Sequence, residues 1–211
     1  AGLREGVAMP YECRNGACGV CVCTVMHGSV DPGQYQQAAL PPAAREQGRV
    51  LMCCARPLSD LEIDFTWPEG APRPVIGQYT GRVDSIERLG PEVIRLMISL
   101  PGGQRIRFAA GQYINIILPD GQRRAYSFAN APHDNTRIEL HVRRIPGGRF
   151  TGHVFEAMQV GDELSFEGPL GSFTRQDSER PILFVAGATG FAPVKSIVED
   201  CLWRGIRRPM S

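Results

Sequence analysis

The sequence predicts a multidomain chain of mixed α+β and β class. A cysteine-rich segment comes first, then an antiparallel β-barrel or sandwich, then the opening of a doubly wound α/β domain. Three observations carry this reading. Six of the seven cysteines fall within residues 13–54. The middle of the chain alternates apolar and polar residues between Gly and Pro punctuation, as half-buried strands do. Near the end, an unbroken apolar run is followed by a glycine-rich turn and a helical period, the order that opens a doubly wound sheet.

Composition narrows the function classes. Hydrophobic residues make up 43% and charged residues 21%, so a packed core is expected. Lys and Arg total 23 against 22 for Asp and Glu, a net charge of +1. That balance gives no electrostatic drive toward nucleic acid or an anionic membrane surface. No apolar run reaches the ~18–20 residues of a transmembrane helix. The odd cysteine count and the lack of a signal pattern point away from a secreted disulfide scaffold and toward a reducing, cytoplasmic setting, where clustered thiols hold metal.

The cysteine segment spans residues 1–68. Cys13, Cys18 and Cys21 stand in a C-x4-C-x2-C pattern, with Cys53 or Cys54 some thirty residues on. This is the plant-type [2Fe–2S] spacing. Three thiolates must converge on one centre, so the loop has to curl. Gly16, Ala17 and Gly19 let backbone N–H groups approach the sulfurs. A zinc site would more often pair two C-x2-C knuckles or use His partners. Cys23 lies two residues past Cys21 in a strand-like run and reads as a buried thiol, as does Cys201 on the last helix.

Residues 69–75 form a proline-rich linker within the stretch Trp67–Pro74. Residues 76–177 carry the alternating strands. Ile138, Leu140 and Val142 share one face of the stretch from Arg137 to Arg143, while 92–100, 113–118 and 163–166 read as further strands. Arg124-Ala125-Tyr126-Ser127 places an R-x-Y-S pattern on a strand after a turn. Farther on, Gly148-Arg149-Phe150-Thr151 precedes a short helix expected over 152–158. A helix N-terminus with glycine before it is a ready anion site.

Residues 178–211 change period. Ile182–Ala186 is continuously apolar, as in a parallel strand buried on both faces. The turn Gly187-Ala188-Thr189-Gly190 follows. A helix is expected from Pro193 to Arg204, with Val194, Ile197, Val198, Cys201 and Leu202 on one side. The chain starts without Met inside a helix-like stretch (Leu3, Val7). It stops at Ser211, just after Arg207–Met210, where a second parallel strand is due. An internal portion of a longer chain is expected.

Taken in order, these motifs resemble the ferredoxin–NADP reductase superfamily, and within it the single-chain iron–sulfur flavoprotein reductases. The stretches Tyr126–His133, Gly190–Lys195 and Gly205–Met210 resemble the CDP-6-deoxy-3,4-glucoseen reductase-like group and the reductase components of oxygenases. The resemblance implies a β-grasp [2Fe–2S] domain, a six-stranded antiparallel FAD barrel and the start of an NAD(P)-binding domain. It selects Cys53 as fourth ligand beside Cys13, Cys18 and Cys21, since the family's ligand sits four residues before a proline; Cys54 would then face the interior. It implies that Arg124 pairs with the FAD pyrophosphate, that Gly147, Gly148 and Thr151 meet the phosphates, and that Tyr126, Ser127 and His141-Val142-Arg143 meet the flavin. Gly187, Thr189, Gly190 and Pro193 belong to the nicotinamide turn, with Ala188 where the family carries a second Gly or Ser. Ser127 and Thr189 would frame hydride transfer. The implied path runs from NAD(P)H through FAD to [2Fe–2S] and on to an acceptor protein or small molecule. The alternatives weighed are an oxygenase reductase component and a non-catalytic [2Fe–2S] carrier.

Overall fold

The computed structural model describes residues 9–11, 15–65 and 76–211, which fall in two compact units, Ala1–Pro74 and Val75–Ser211. Leu3, Val7, Cys13 and the linker Trp67–Pro74 lie outside the described residues, so the expectations placed on them stand as expectations.

The first unit is small. Strand β1 (Val22–His27) runs between β3 (Arg49–Leu51) and β5 (Glu62–Asp64), antiparallel to both. A two-stranded ribbon pairs β2 (Val30–Asp31) with β4 (Arg56–Pro57), and helix α1 spans Pro42–Glu46. Proline opens α1 because its missing N–H costs nothing at the first helical position. Cys21, Leu40 and Leu51 form the buried centre, with Tyr35, Met52 and Cys53 packed against it. Cys23 is buried on β1, as its spacing predicted.

The second unit is a six-stranded antiparallel barrel. Its strands are β6 (Gly77–Gly90), β7 (Val93–Ser99), β8 (Tyr113–Ile117), β9 (Arg123–Ser127), β10 (Ile138–Arg143) and β11 (Glu163–Leu170). Their order is β10-β7-β6-β11-β8-β9. The two ends of this order meet where the N–H of Ala129, just past β9, donates to the carbonyl of Glu139 on β10 at 2.8 Å. Strand β7 follows the period-two rule: Ile94, Leu96 and Ile98 are buried and the residues between them are not. Phe128, Leu140, Val142 and Phe166 complete the same core.

Three expectations are corrected and one strand is added. The longest strand, β6, was not anticipated, because Asp84, Glu87 and Arg88 interrupt its apolar alternation and bulges shift its register against β7. Helix α2 covers Arg149–Glu156, three residues ahead of the expected start, so Gly148 is its N-cap. The run Ile182–Ala186 is not buried on both faces: Leu183 is 75% and Val185 89% exposed, and among the described residues it pairs on one side, through a parallel bridge from Ile182 to Met210 and the bond from Phe184 N–H to the Ser211 carbonyl. A strand is covered only where neighbours flank it, and here the partner is the stretch ending at Ser211. Helix α3 (Phe191–Trp203) buries Ala192, Val194, Ser196, Ile197, Asp200 and Cys201, while Leu202 is exposed and Val198 half-buried. Its inner stripe takes in two polar residues, Ser196, which meets the Asn130 carbonyl of the barrel, and Asp200, which accepts from Arg204 at the helix end.

Candidate functional site

The cysteine loop is shaped by its glycines. Gly16 has φ +73°, and a Cβ there would lie 2.7 Å from Cβ of Tyr35 and 2.8 Å from Sγ of Cys54. Gly16 also accepts a hydrogen bond from Gln36 N–H at 2.9 Å, which holds the loop down. Cys18 is exposed, Cys21 is buried and Cys53 is half-buried. The N–H of Met52 donates to the carbonyl of Cys21 at 3.0 Å, drawing the segment after β3 alongside the loop. Sulfurs of Cys53 and Cys54 are 3.5 Å apart. Cys54 is half-buried against Gly16 and not interior as expected, because the loop packs its glycine onto that sulfur.

Electrostatics suit this loop to a cationic centre. Burial, a thiol hydrogen bond with Cys53 and the proximity of Cys53 and Cys18 push the Cys21 thiol to about 12, against one backbone hydrogen bond that pulls it down. Thiolates so placed repel one another until iron neutralises them. Among the described residues, no three His, Cys, Asp or Glu side chains surround a single point. A two-iron cluster does not ask for that, since its four thiolates divide into pairs on two irons. With Cys13 outside the described residues, the loop's soft donors, burial and close glycine backbone fit such a cluster.

In the second unit, β9 and α2 bring most of the remaining residues together. Arg124 is exposed, and its guanidinium donates to the carbonyl of Arg123 at 2.9 Å and to Gln122 Oε1 at 2.8 Å. Tyr126 tilts against Phe150 of α2, ring centroids 5.3 Å apart, and burial pushes its phenol to about 12 although Arg124 pulls it down. Ser127 is half-buried and pairs in register with Tyr113. Gly147 has φ +70°, which turns the chain into α2. Thr151 is buried, and its hydroxyl accepts from Ile145 N–H at 3.2 Å, so it stitches the turn that presents the first amides of α2. Those amides have no partner inside the helix, an arrangement matched to phosphate.

Across β10, Val142 points into the core, and Arg143 pairs with Glu92 at 3.6 Å. His141 Nε2 lies 2.9 Å from Glu139 Oε1. Gly187 caps a 3-10 turn over Ala188–Gly190 that leads directly into α3, with Pro193 in the helix's first turn. Ala188 has φ +48°, the left-handed conformation that favours glycine. Thr189 and His141 line one open cleft, together with Arg95, Glu139 and Lys195. Ser127 is not among its lining residues.

The sequence reading missed Glu139, Lys195, Ser196 and Asn130. Glu139 is only 7% exposed although it stands on the polar side of β10. That side is covered by α3, whose Lys195 reaches the carboxylate at 3.0 Å. Burial raises the Glu139 carboxyl, but hydrogen bonds and charge from His141 and Lys195 prevail and hold it at about 2. A lysine beside the apolar stripe of α3, three residues before Val198, was the available signal.

Comparison with known proteins assigns both units. Residues 1–58 match the 2Fe-2S iron-sulfur cluster binding domain, and residues 80–174 match the oxidoreductase FAD-binding domain. The two matched domains are those of a ferredoxin–NADP reductase-like 2Fe–2S flavoprotein. The β-grasp and barrel classes expected from the sequence agree with these matches. The chain is 39% identical over 208 residues to the CDP-6-deoxy-L-threo-D-glycero-4-hexulose-3-dehydrase reductase of Yersinia pestis, covering 99% of this chain and 62% of that protein. It is 38% identical over 212 residues to reductase component 2 of the terephthalate 1,2-dioxygenase of a Comamonas species, covering 100% and 62%. The crystal structure of the Amycolatopsis cytochrome P450 reductase GcoB superposes with a TM-score of 0.79 at 35% identity, covering 100% of this chain and 64% of that one. This 2Fe–2S flavoprotein chain therefore spans about three fifths of the length of the two curated relatives, 62% of each. No helix among its described residues is long and apolar enough to cross a membrane.

Proposed function

We propose that the chain is the iron–sulfur and flavin portion of an NAD(P)H-dependent reductase. Electrons would pass from NAD(P)H through FAD to a [2Fe–2S] cluster, and from there to an acceptor. The observation that carries this reading is the meeting of His141, on the flavin-side strand, with Thr189, on the glycine-rich turn, in one cleft. Within the reading, residues 1–68 are the ferredoxin domain, 76–177 the flavin domain, and 178–211 the beginning of a nicotinamide domain, in a protein of the cytoplasm.

Cys13, Cys18, Cys21 and Cys53 would hold the cluster. Arg124, whose planar guanidinium suits a diphosphate, and the turn Gly147–Thr151 would hold the FAD pyrophosphate. Tyr126, Ser127 and the backbone of His141–Arg143 would fix the ring, and Gly187, Thr189, Gly190 and Pro193 would shape the nicotinamide side. FAD supplies the exchange between a paired-electron donor and a one-electron centre. The residues' task is to orient and to exclude water.

The acceptor fits a partner protein. One relative's name joins it to a dehydrase acting on a CDP-hexulose and the other's to a ring dioxygenase, so a dehydrase partner is the first reading and an oxygenase component the second. The test is stopped-flow reduction of the full-length protein by NADH and by NADPH, then mixing with each candidate acceptor. Flavin and iron–sulfur bands that bleach with nicotinamide support the reductase. Iron–sulfur bands with no flavin would mean a simple electron carrier.

A further inference from the structure

Helix α3 grips the strand that would carry the flavin at adjacent points. Lys195 Nζ donates to the carbonyl of Ala129 at 3.0 Å and to Glu139 Oε2 at 3.0 Å. The next residue, Ser196, is fully buried and donates its hydroxyl to the carbonyl of Asn130 at 2.8 Å. These two consecutive carbonyls end the run Tyr126-Ser127-Phe128-Ala129-Asn130, so they hang directly from the R-x-Y-S strand. Asn130 ties the same place into β10: its side-chain oxygen accepts from Glu139 N–H at 2.9 Å, and its amide donates to the carbonyls of Asp134 and Arg137 at 2.6 and 2.9 Å. Glu139 is held on its other oxygen by His141. Glu199, one turn along α3, is the second carboxylate on Lys195, at 2.9 Å.

Nothing about packing α3 requires this. An apolar residue at position 195 would cover the barrel, and a half-buried lysine whose ammonium is directed to a strand's carbonyl and a buried carboxylate gives up part of its hydration to do so. What the arrangement achieves is registry. The turn bearing Thr189 is rigidly continuous with the first turn of α3, six residues from Lys195. Fixing Lys195 and Ser196 to 129–130 therefore fixes Thr189 relative to Ser127.

We propose that Lys195 and Ser196, acting with Glu139, form a two-point clamp that sets the distance between the nicotinamide-side turn and the flavin-side strand, and are positioning residues for hydride transfer. The clamp rests on the reductase reading above. The reaction moves one hydride, two electrons with one proton, from the nicotinamide donor to the flavin, so the donor is oxidised and the acceptor reduced by the same pair. Such a transfer is sensitive to placement, and a misplacement of about 1 Å can cost on the order of a hundredfold. The low setting of the Glu139 carboxyl keeps the clamp charged through the neutral range.

The test uses the full-length, FAD-loaded protein and the variants Lys195→Met, Lys195→Arg and Ser196→Ala. Three quantities are measured: the limiting rate of flavin reduction at saturating NADH or NADPH, the rate with dithionite, and hydrogen exchange over 191–203. Support is a fall of roughly tenfold or more in the nicotinamide rate for Lys195→Met. With it should come unchanged dithionite reduction and FAD content, faster exchange along α3, and substantial recovery in Lys195→Arg. If Lys195→Met fails to hold FAD, Ser196→Ala decides by the same criteria. An unmodified protein that nicotinamide reduces, beside variants reduced equally fast, overturns the clamp and leaves the reductase reading intact. An unmodified protein that holds FAD but that neither nicotinamide reduces overturns the reading and the clamp with it.

Discussion

Single residues of this chain sit in conformations or charge states that a neighbour makes tolerable. Ala188 is the clearest. Its φ of +48° sets Cβ against the following carbonyl, a cost of about 1–2 kcal/mol that glycine avoids. Ala188→Gly gives back about half of that as unfolded-chain entropy, so a net stabilisation of roughly 0.5–1 kcal/mol is expected in urea unfolding. Its departure from the family's glycine was legible in the sequence; its left-handed backbone was not. Glu139 supplies a pH prediction. Its folded carboxyl lies at about 2 against an ordinary 4.5, so its contribution is complete above pH 4.5 and disappears as pH falls through about 2. The urea midpoint of the unmodified protein should exceed that of Glu139→Gln at neutral pH, and the gap should close across that window. A gap that is constant with pH would mean the carboxylate's charge contributes nothing.

Elements are held by side chains that look, in sequence, like site residues. Thr151 stands where a phosphate contact is proposed, and its hydroxyl accepts from Ile145 N–H and lies within reach of the carbonyls of Ile145 and Gly148. Thr151→Val leaves that amide without its hydroxyl partner and should destabilise the barrel by about 0.5–1.5 kcal/mol, read from the shift in urea midpoint. The same variant should weaken FAD retention, because the turn sets the first amides of α2. Strand periodicity was readable wherever one face met the core and the other met water, as in β7. It failed in β6, where bulges let polar residues share the strand, and on the outer side of β10, where a helix distant in sequence covers Glu139. Long-range cover of that kind leaves no local trace, which is why Lys195, Ser196 and Asn130 were given no role, though Asn130 and Lys195 stand in stretches that carried the resemblance, while the R-x-Y-S and cysteine motifs, being contiguous, were given one.

At the scale of the whole molecule, the cysteine loop and the flavin barrel belong to different compact units with separate cores. Cys18→Ser should therefore remove the iron–sulfur absorbance while FAD stays bound. Iron, acid-labile sulfide and flavin assays on the purified variant check this; full iron and sulfide would remove Cys18 from the ligand set, and loss of flavin would mean that the two units fold as one. The order of cofactor domains was legible because each rests on a short motif. The proposal of Cys53 as fourth ligand rests on family spacing; in the structure Cys53 lies beside Cys21.

The bare side chains of Leu183 and Val185 have a practical consequence for anyone measuring these variants. Fluorescent probes that brighten on oily patches will bind the folded 211-residue chain, where both side chains are bare, so a dye-based melting curve of that chain will begin from a high baseline and blur the transition. Circular dichroism does not depend on that patch, and it is the signal by which these melts should be followed.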